Sequence, residues 1–504
     1  MTFPEPILAL VAVCLPLLYP AMALRSDWRR VMRYILPVLP LPALLLASCG
    51  DPSWQLELPW LLNGGLWALD DLRRLFLLLT AVLWTVAGVY AVGYLAESHI
   101  RRFCVCWGLT LAGNLGLTVA VDIGSFYSFF ALMTFAGYGL IVHEGTDEAH
   151  YAGRVYMAMA VLGEMSILAG LLLAASAADS QLLTDLPAAL AQAQQRDLII
   201  ALLIAGFGVK AGLPLLHFWL PLAHPVAPTP ASAVLSGAMI KAGLLGWLVT
   251  LPFGEIGLSG WGALMVAAGA VGALGAAILG VLQHRPKAVL AYSSISQMGL
   301  MVLMVGAALA DPERAPVLFS VIGLYALHHG LAKGSLFLSA GVSLPASRMG
   351  QTMIWILIAL PGLSLAGLPF TSGALAKLAM KAGLAEDSLS FALAGCLPPL
   401  MTAGAIATLL LVLRYLWTLS AKLETGQTPP MLTAGWLAAV AASLIAFWWM
   451  PWDLAGLVKA PVWLPAPYQI WALVWPMLIA LALAGLAVLL CRNSRSAALG
   501  AKPH

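Results

Sequence analysis

Charge is what this chain has least of: Lys, Arg, Asp and Glu together make up 9% of its 504 residues, against roughly a quarter in an average soluble domain. So few charges cannot coat a water-soluble surface of this size, and a 62% hydrophobic share far exceeds what a soluble core needs. Cysteine is scarce too. Cys14, Cys49, Cys104, Cys106, Cys396 and Cys491 lie scattered in or beside apolar runs, without the CxxC pairs that zinc or iron–sulfur clusters use. No metal and no cofactor is therefore expected on this chain. There is no glycine-rich phosphate loop after a strand, no Walker lysine motif and no nucleophile elbow, so the chain does not read as the part of a machine that consumes fuel. The formal net charge of +3 is too small to argue for nucleic acid.

What the chain has in abundance is apolar runs of helix-spanning length. Lipid cannot hydrogen-bond a free backbone, so such runs must cross as helices. The sequence predicts an all-α polytopic membrane protein of about 14–15 transmembrane helices. The spans begin with 6–24, 31–49, 72–95, 103–121, 123–143 and 155–176 and continue with 197–224, 231–253, 261–283, 287–309 and 316–341. The last four are 352–383, 388–420, 430–450 and 467–491. The first run follows no basic segment and no small-residue cleavage site, and it reads as a retained span. Loop cations such as Arg25, Arg101, Arg102, Arg285, Lys287, Arg414 and Lys502 outnumber those on the other side, Arg73, Arg74, Arg196, Arg314 and Lys459, about threefold. The excess predicts a cytoplasmic (inner) membrane protein with its N-terminus outside and its C-terminus in the cytoplasm.

The chain also repeats itself. Ala211-Gly212-Leu213-Pro214 sits in one long span and Ala366-Gly367-Leu368-Pro369 in another. Breaks at matching places in two halves point to inverted five-helix repeats of a transporter core. The expected division is 1–102 (N-terminal helices), 103–253 (first repeat), 261–420 (second repeat) and 421–504 (C-terminal helices and cytoplasmic tail).

Removing the loop cations leaves Lys210, Lys241, Lys333, Lys377 and Lys381, all inside predicted spans and all lysine. A desolvated lysine can give up its proton, whereas arginine cannot, so lysine suits a proton path. The plainer alternative is that some of these side chains snorkel to the membrane surface, Lys381 above all. Glu164 is the one carboxylate near the middle of a span. It is either neutral, bonded to a backbone carbonyl, or paired with a buried cation, for which Lys210 is the candidate. Around the first break, Pro214 and Pro221 free backbone groups. His217 and His224 can pass a proton onward there, or simply satisfy the carbonyls that proline releases. His329 and Lys333, four apart, share a helical face. So do Lys377 and Lys381, where proximity of two cations favours one being neutral. His328 points elsewhere and reads as packing.

These residues resemble the antiporter-like proton-translocating membrane subunits shared by respiratory complex I, membrane-bound hydrogenases and Mrp-type cation/proton antiporters. The likeness runs through His217-Phe-Trp-Leu-Pro-Leu-Ala-His224, Ala227-Pro-Thr-Pro-Ala-Ser232 to Lys241-Ala-Gly243, Lys287-Ala-Val-Leu-Ala-Tyr292 to Gly299, and Gly367-Leu-Pro-Phe-Thr-Ser-Gly373. It covers most of the chain and is nearest the Mrp and hydrogenase branches. The resemblance implies that Lys210 holds the proton of a first half-channel, Lys241 connects the halves, His329 and Lys333 form the second relay, and Lys377 is the terminal lysine. One piece is missing: where such proteins carry a glutamate on the fifth span, this chain has Ala131, and Glu164, one helix later, is the expected replacement.

The function so implied is that of a proton-translocating subunit working with other membrane subunits, whose coupling ion is the proton alone or the proton against Na+. A soluble redox or zinc-containing partner would do the chemistry. Two alternatives stand beside it: a proton-coupled energising subunit of an inorganic-carbon uptake complex, and a non-conducting scaffold for a soluble enzyme. Against the scaffold stands the insertion cost of mid-bilayer lysines, about 2.5–3.5 kcal/mol each.

Overall fold

A computed structural model describes residues 5–49, 54–60, 64–96, 99–385, 393–454 and 465–500. Lys459 and Lys502, used above for topology, lie outside them. Among the described residues, 12 helices are long and apolar enough to cross a membrane. The predicted spans recover nearly all of these helices. The helix predicted at 155–176 runs further, over Asp147–Ala178, because Thr146 caps it and Asp147 and Glu148 fill its first turn, where carboxylates favour the helix dipole.

One expected span needs correction. The stretch 31–49 is not one span: it forms Arg29–Ile35, a run of turns, and Leu41–Cys49. Pro37 and Pro40 remove the donors a continuous helix would need. The fold is all-α, as expected, with one small addition. Gln55–Leu58 and Gly65–Ala68 pair as a short antiparallel hairpin, and Asp122 ties it to the next helices by accepting from Leu66 N–H at 2.8 Å and Ser125 N–H at 2.7 Å.

Burial separates a centre from a rim. In Thr229–Thr250 and Pro286–Ala310, 94% of the apolar window is buried inside the protein, against 17% in Pro467–Leu490. The most enclosed helices are thus those bearing Lys241 and the Tyr292–Gly299 motif. The outermost presents Trp471, Leu478 and Leu486 outward, as a lipid-facing helix would.

Both long spans break where the sequence places the breaks, and with the same backbone geometry. Arg196–Ala211 ends at Gly212 (φ 77°), with Leu213 N–H on Gly208 O at 2.9 Å. Arg348–Ala366 ends at Gly367 (φ 98°), with Leu368 N–H on Leu363 O at 3.0 Å. Each is a left-handed glycine cap followed by a proline that cannot continue the helix. Three residues after each glycine, Leu215 and Phe370 take φ of 68° and 64°, a conformation side chains adopt rarely. The chain resumes as Trp219–Val226 and Ser372–Gly383. A third interruption is a five-residue π-helix, Leu235–Met239, just before Lys241.

Gly367→Ala should therefore destabilise the protein by about 1–2 kcal/mol through the left-handed backbone alone, and further because a Cβ there would stand 2.9 Å from Lys377 Cδ. Tryptophan-fluorescence melting in detergent should show the loss.

Candidate functional site

All the predicted site cations are withdrawn from the surface. Lys210 is 5% exposed, Lys241 1%, Lys333 0% and Lys377 5%, so none of the four snorkels. Lys381, half-buried, is the intermediate case expected of it.

Lys210 lies in the last turn of the helix before the first break. Its Nζ donates to Tyr156 Oη at 3.3 Å and lies 5.8 Å and 5.6 Å from the ring centres of Phe130 and Tyr156, where the ring faces attract a cation. Tyr156 in turn donates to the Thr134 carbonyl at 2.7 Å. These residues line a cavity that Glu164 also enters, together with Gly163, Val209 and Trp219, and whose free volume of ≈ 10 Å³ is the room of about one water. Glu164 is 3% exposed and its Oε2 has no hydrogen-bond partner among the described residues. The carboxylate and the ammonium thus line one small, mostly apolar cavity and are not paired in it.

His217 lies in the break, half-buried, with Nδ1 3.3 Å from Leu213 O, a carbonyl that also accepts from Leu216 N–H at 2.9 Å. His224 is fully buried and stacks on Phe337 at 4.6 Å; neither of its ring nitrogens has a partner among the described residues. The structure does not bring either histidine into hydrogen-bond contact with Lys210.

At the centre, Lys241 Nζ donates to Ser236 O at 2.7 Å. That carbonyl belongs to the π-helix, where Ile240 N–H bonds back to Leu235 O at 3.3 Å. Ser236 Oγ meets Ser294 Oγ at 2.6 Å. Ser294 Oγ donates to Leu290 O at 3.0 Å, and Lys333 Nζ donates to the same carbonyl at 3.0 Å. Polar groups of Ser236, Ser294 and Leu290 thus lie between Lys241 and Lys333, though neither ammonium bonds a serine hydroxyl directly. His329 is buried beside them, both ring nitrogens unpartnered among the described residues, and it does not bond Lys333 directly.

Lys377 Nζ donates to Ala366 O at 2.8 Å, the last helical carbonyl before the second break. Lys381 Nζ donates to Ala472 O at 3.4 Å. Both line a second cavity with Met401 and Thr402, again with ≈ 10 Å³ free.

Three residues do more than their sequence positions suggest. His328 is not mere packing: its Nδ1 lies 2.8 Å from Ser372 Oγ, the first residue after the second break, and Ser372 Oγ donates to Ser443 O at 3.1 Å. Its partner is 44 residues away in sequence, so no local spacing announces it. Lys287 is not a free loop cation: its Nζ donates to Ala227 O at 2.7 Å, and Ser232 Oγ also reaches that carbonyl at 3.3 Å. Pro286 opening the helix is the signal that could have found it, since a lysine in a first turn opposes the dipole and needs an acceptor elsewhere. Arg73, also counted with the loops, is 2% exposed and donates to Ala120 O at 2.7 Å.

The profile of the family described as "NADH:quinone oxidoreductase/Mrp antiporter, TM" matches residues 120–402, which takes in both breaks and every one of these lysines. The chain belongs to this family. Among curated relatives of this antiporter family, it is 30% identical to hydrogenase-4 component B of Escherichia coli (strain K12) over 284 residues, 54% of this chain and 42% of that protein. It is 29% identical to Na(+)/H(+) antiporter subunit A1 of Staphylococcus haemolyticus (strain JCSC1435) over 333 residues, 61% of this chain and 41% of that one. An uncharacterized protein of Mycobacterium tuberculosis (strain ATCC 25618 / H37Rv) is 32% identical over 345 residues, 64% and 53% of the two chains. The chain spans about half the length, or somewhat less, of these relatives. Its fold is that of a chain in the Mrp complex from Dietzia sp. DQ12-45-1b, with TM-score 0.79 at 20% identity over 96% of this chain and 56% of that chain. It is likewise that of a chain in the membrane-bound sulfane sulfur reductase, an archaeal respiratory membrane complex, with TM-score 0.77 at 21% identity over 90% and 78%.

Tyr156→Phe should cost about 1 kcal/mol by removing the hydroxyl that joins Lys210 to Thr134 O. Thermal unfolding in detergent should report it, with the helical content unchanged by circular dichroism.

Proposed function

We propose that this chain is a proton-translocating antiporter-like subunit of a multisubunit membrane complex, moving protons along Lys210, Lys241, Lys333 and Lys377 with Glu164, His217, His224 and His329 beside them. One observation carries the reading: four lysines lie buried in the helical bundle, each with a hydrogen-bond acceptor, and for Lys241 and Lys377 that acceptor is a carbonyl at a helix interruption. An ammonium so placed costs several kcal/mol to insert, and a protein-lined polar track is the setting in which such a group recurs in transporters. The family relatives supply the class of machine. One is named as a hydrogenase component and another as an antiporter subunit, so redox chemistry or a second cation such as Na+ would enter through partner chains.

Glu164 takes the place of the carboxylate missing at Ala131. It enters the Lys210 cavity from Asp147–Ala178, whereas Ala131 belongs to Ile123–Ile141, so the charge comes to the same lysine from a different helix. A nearby carboxylate stabilises the ammonium, and its protonation would release that hold. The matching backbone of the two breaks supports the division into repeats at 103–253 and 261–420. The cation excess supports an N-terminus outside and a C-terminus in the cytoplasm, in a cytoplasmic membrane.

The test is proton flux in proteoliposomes holding the intact complex, with an imposed potassium diffusion potential and an internal pH dye. Lys377→Met should lower flux at least tenfold, and Glu164→Gln, which keeps size but not charge, should lower it severalfold. Flux within twofold of wild type in Lys377→Met would favour the scaffold reading. The same result in Glu164→Gln alone would remove only the relocated carboxylate.

A further inference from the structure

The centre of the protein holds a feature that neither the lysine row nor the family match assigns. Ser236 and Ser294 are both fully buried, they come from the two most enclosed helices, and their hydroxyls are 2.6 Å apart. The direction of this bond follows from its neighbours. Ser294 has one hydroxyl proton and donates it to Leu290 O, so Ser236 is the donor to Ser294. On the near side, the Lys241 ammonium already holds the carbonyl of that same Ser236 at 2.7 Å. On the far side, Ser294 and Lys333 share the Leu290 carbonyl.

We infer that the Ser236–Ser294 hydroxyl pair carries the proton between Lys241 and Lys333. The inference rests on the proposed transport function. Lys241 Nζ shifts from the carbonyl to the hydroxyl of Ser236, and Lys333 Nζ, as the neutral amine, shifts from Leu290 O to Ser294 Oγ. Lys241 then gives a proton to Ser236 Oγ as the Ser236 hydroxyl proton passes to Ser294 Oγ and the Ser294 proton passes to Lys333 Nζ. One N–H bond breaks at Lys241 and one forms at Lys333. Each serine ends with one proton, and rotation of the two hydroxyls resets the pair. No oxidant, reductant or further reactant is needed.

The π-helix is what makes this possible. Its wider turn supplies the carbonyl that holds Lys241, and π-bulges concentrate at functional sites. The segment also packs tightly on the helix bearing Lys333: a Cβ on Gly237 would stand 2.8 Å from Gly330 O, so glycine is required for the approach. His329, buried and unpartnered in the same region, is the competing carrier.

The experiment is proton flux through the intact reconstituted complex for Ser236→Ala and Ser294→Ala, with Ser236→Thr and Ser294→Thr as hydroxyl-keeping controls and Lys241→Met and Lys333→Met as references. The inference expects each alanine variant to lose at least tenfold, the threonine variants to keep half or more of the wild-type flux, and the lysine variants to be inactive. Should an alanine variant fail to assemble, Ser236→Cys and Ser294→Cys keep the volume while replacing the hydroxyl by a weak donor, and the same tenfold loss is expected. Alanine variants within twofold of wild type, with the lysine variants dead, would overturn the serine relay and leave the transport reading standing; a loss confined to His329→Ala would do so in favour of the histidine. Active lysine variants would bring down the transport reading itself and the relay with it.

Discussion

A lysine ammonium enclosed by helices needs acceptors, and in an α-helical membrane protein nearly every carbonyl is already taken by its own helix. This chain meets the need by interrupting helices. Lys377 binds Ala366 O where a glycine cap ends the helix, Lys241 binds Ser236 O inside a π-helix, and Lys287 binds Ala227 O between two short helices. Lys333 shares with Ser294 a carbonyl in the second turn of its neighbour. Breaks, caps and bulge are therefore not separate features from the buried charge; they are the means by which it is tolerated.

The same constraint orders the architecture. The helices that carry Lys241, Lys333 and the Leu290 carbonyl are among the most enclosed, and the rim is left to helices such as Pro467–Leu490 that are apolar and face outward. Lys210 differs from the rest. It binds a tyrosine hydroxyl rather than a carbonyl and faces a carboxylate across a cavity of about one water. That makes it the lysine whose surroundings can change most with the protonation of one neighbour.

Much of this was readable in the sequence, and the limits have physical causes. Spans are legible because lipid imposes a long apolar run on every crossing. The two breaks are legible because Ala-Gly-Leu-Pro combines a left-handed cap with a helix stopper. The buried lysines stand out because charge is so rare here. By contrast, the π-helix at Leu235–Met239 has no residue signature in Leu-Ser-Gly-Ala-Met. His328 and the Ser236–Ser294 pair depend on contacts 44 and 58 residues apart in sequence. Lys287 reads as a loop cation because a helix start blurs by a residue or two. The prolines at 37 and 40 were visible, yet a hydrophobic window averages over them and joins three pieces into one span.

A buried ammonium can serve as a fixed staple for released carbonyls or as a carrier that gives up its proton, and Lys241→Arg separates the two. Arginine keeps the charge and the donors but does not deprotonate in proteins. Measured in the intact complex, proton flux should fall to background in Lys241→Arg while assembly and melting temperature stay near wild type. Flux within twofold of wild type would contradict the account, because the cation at the centre would then be a staple and the proton would travel elsewhere.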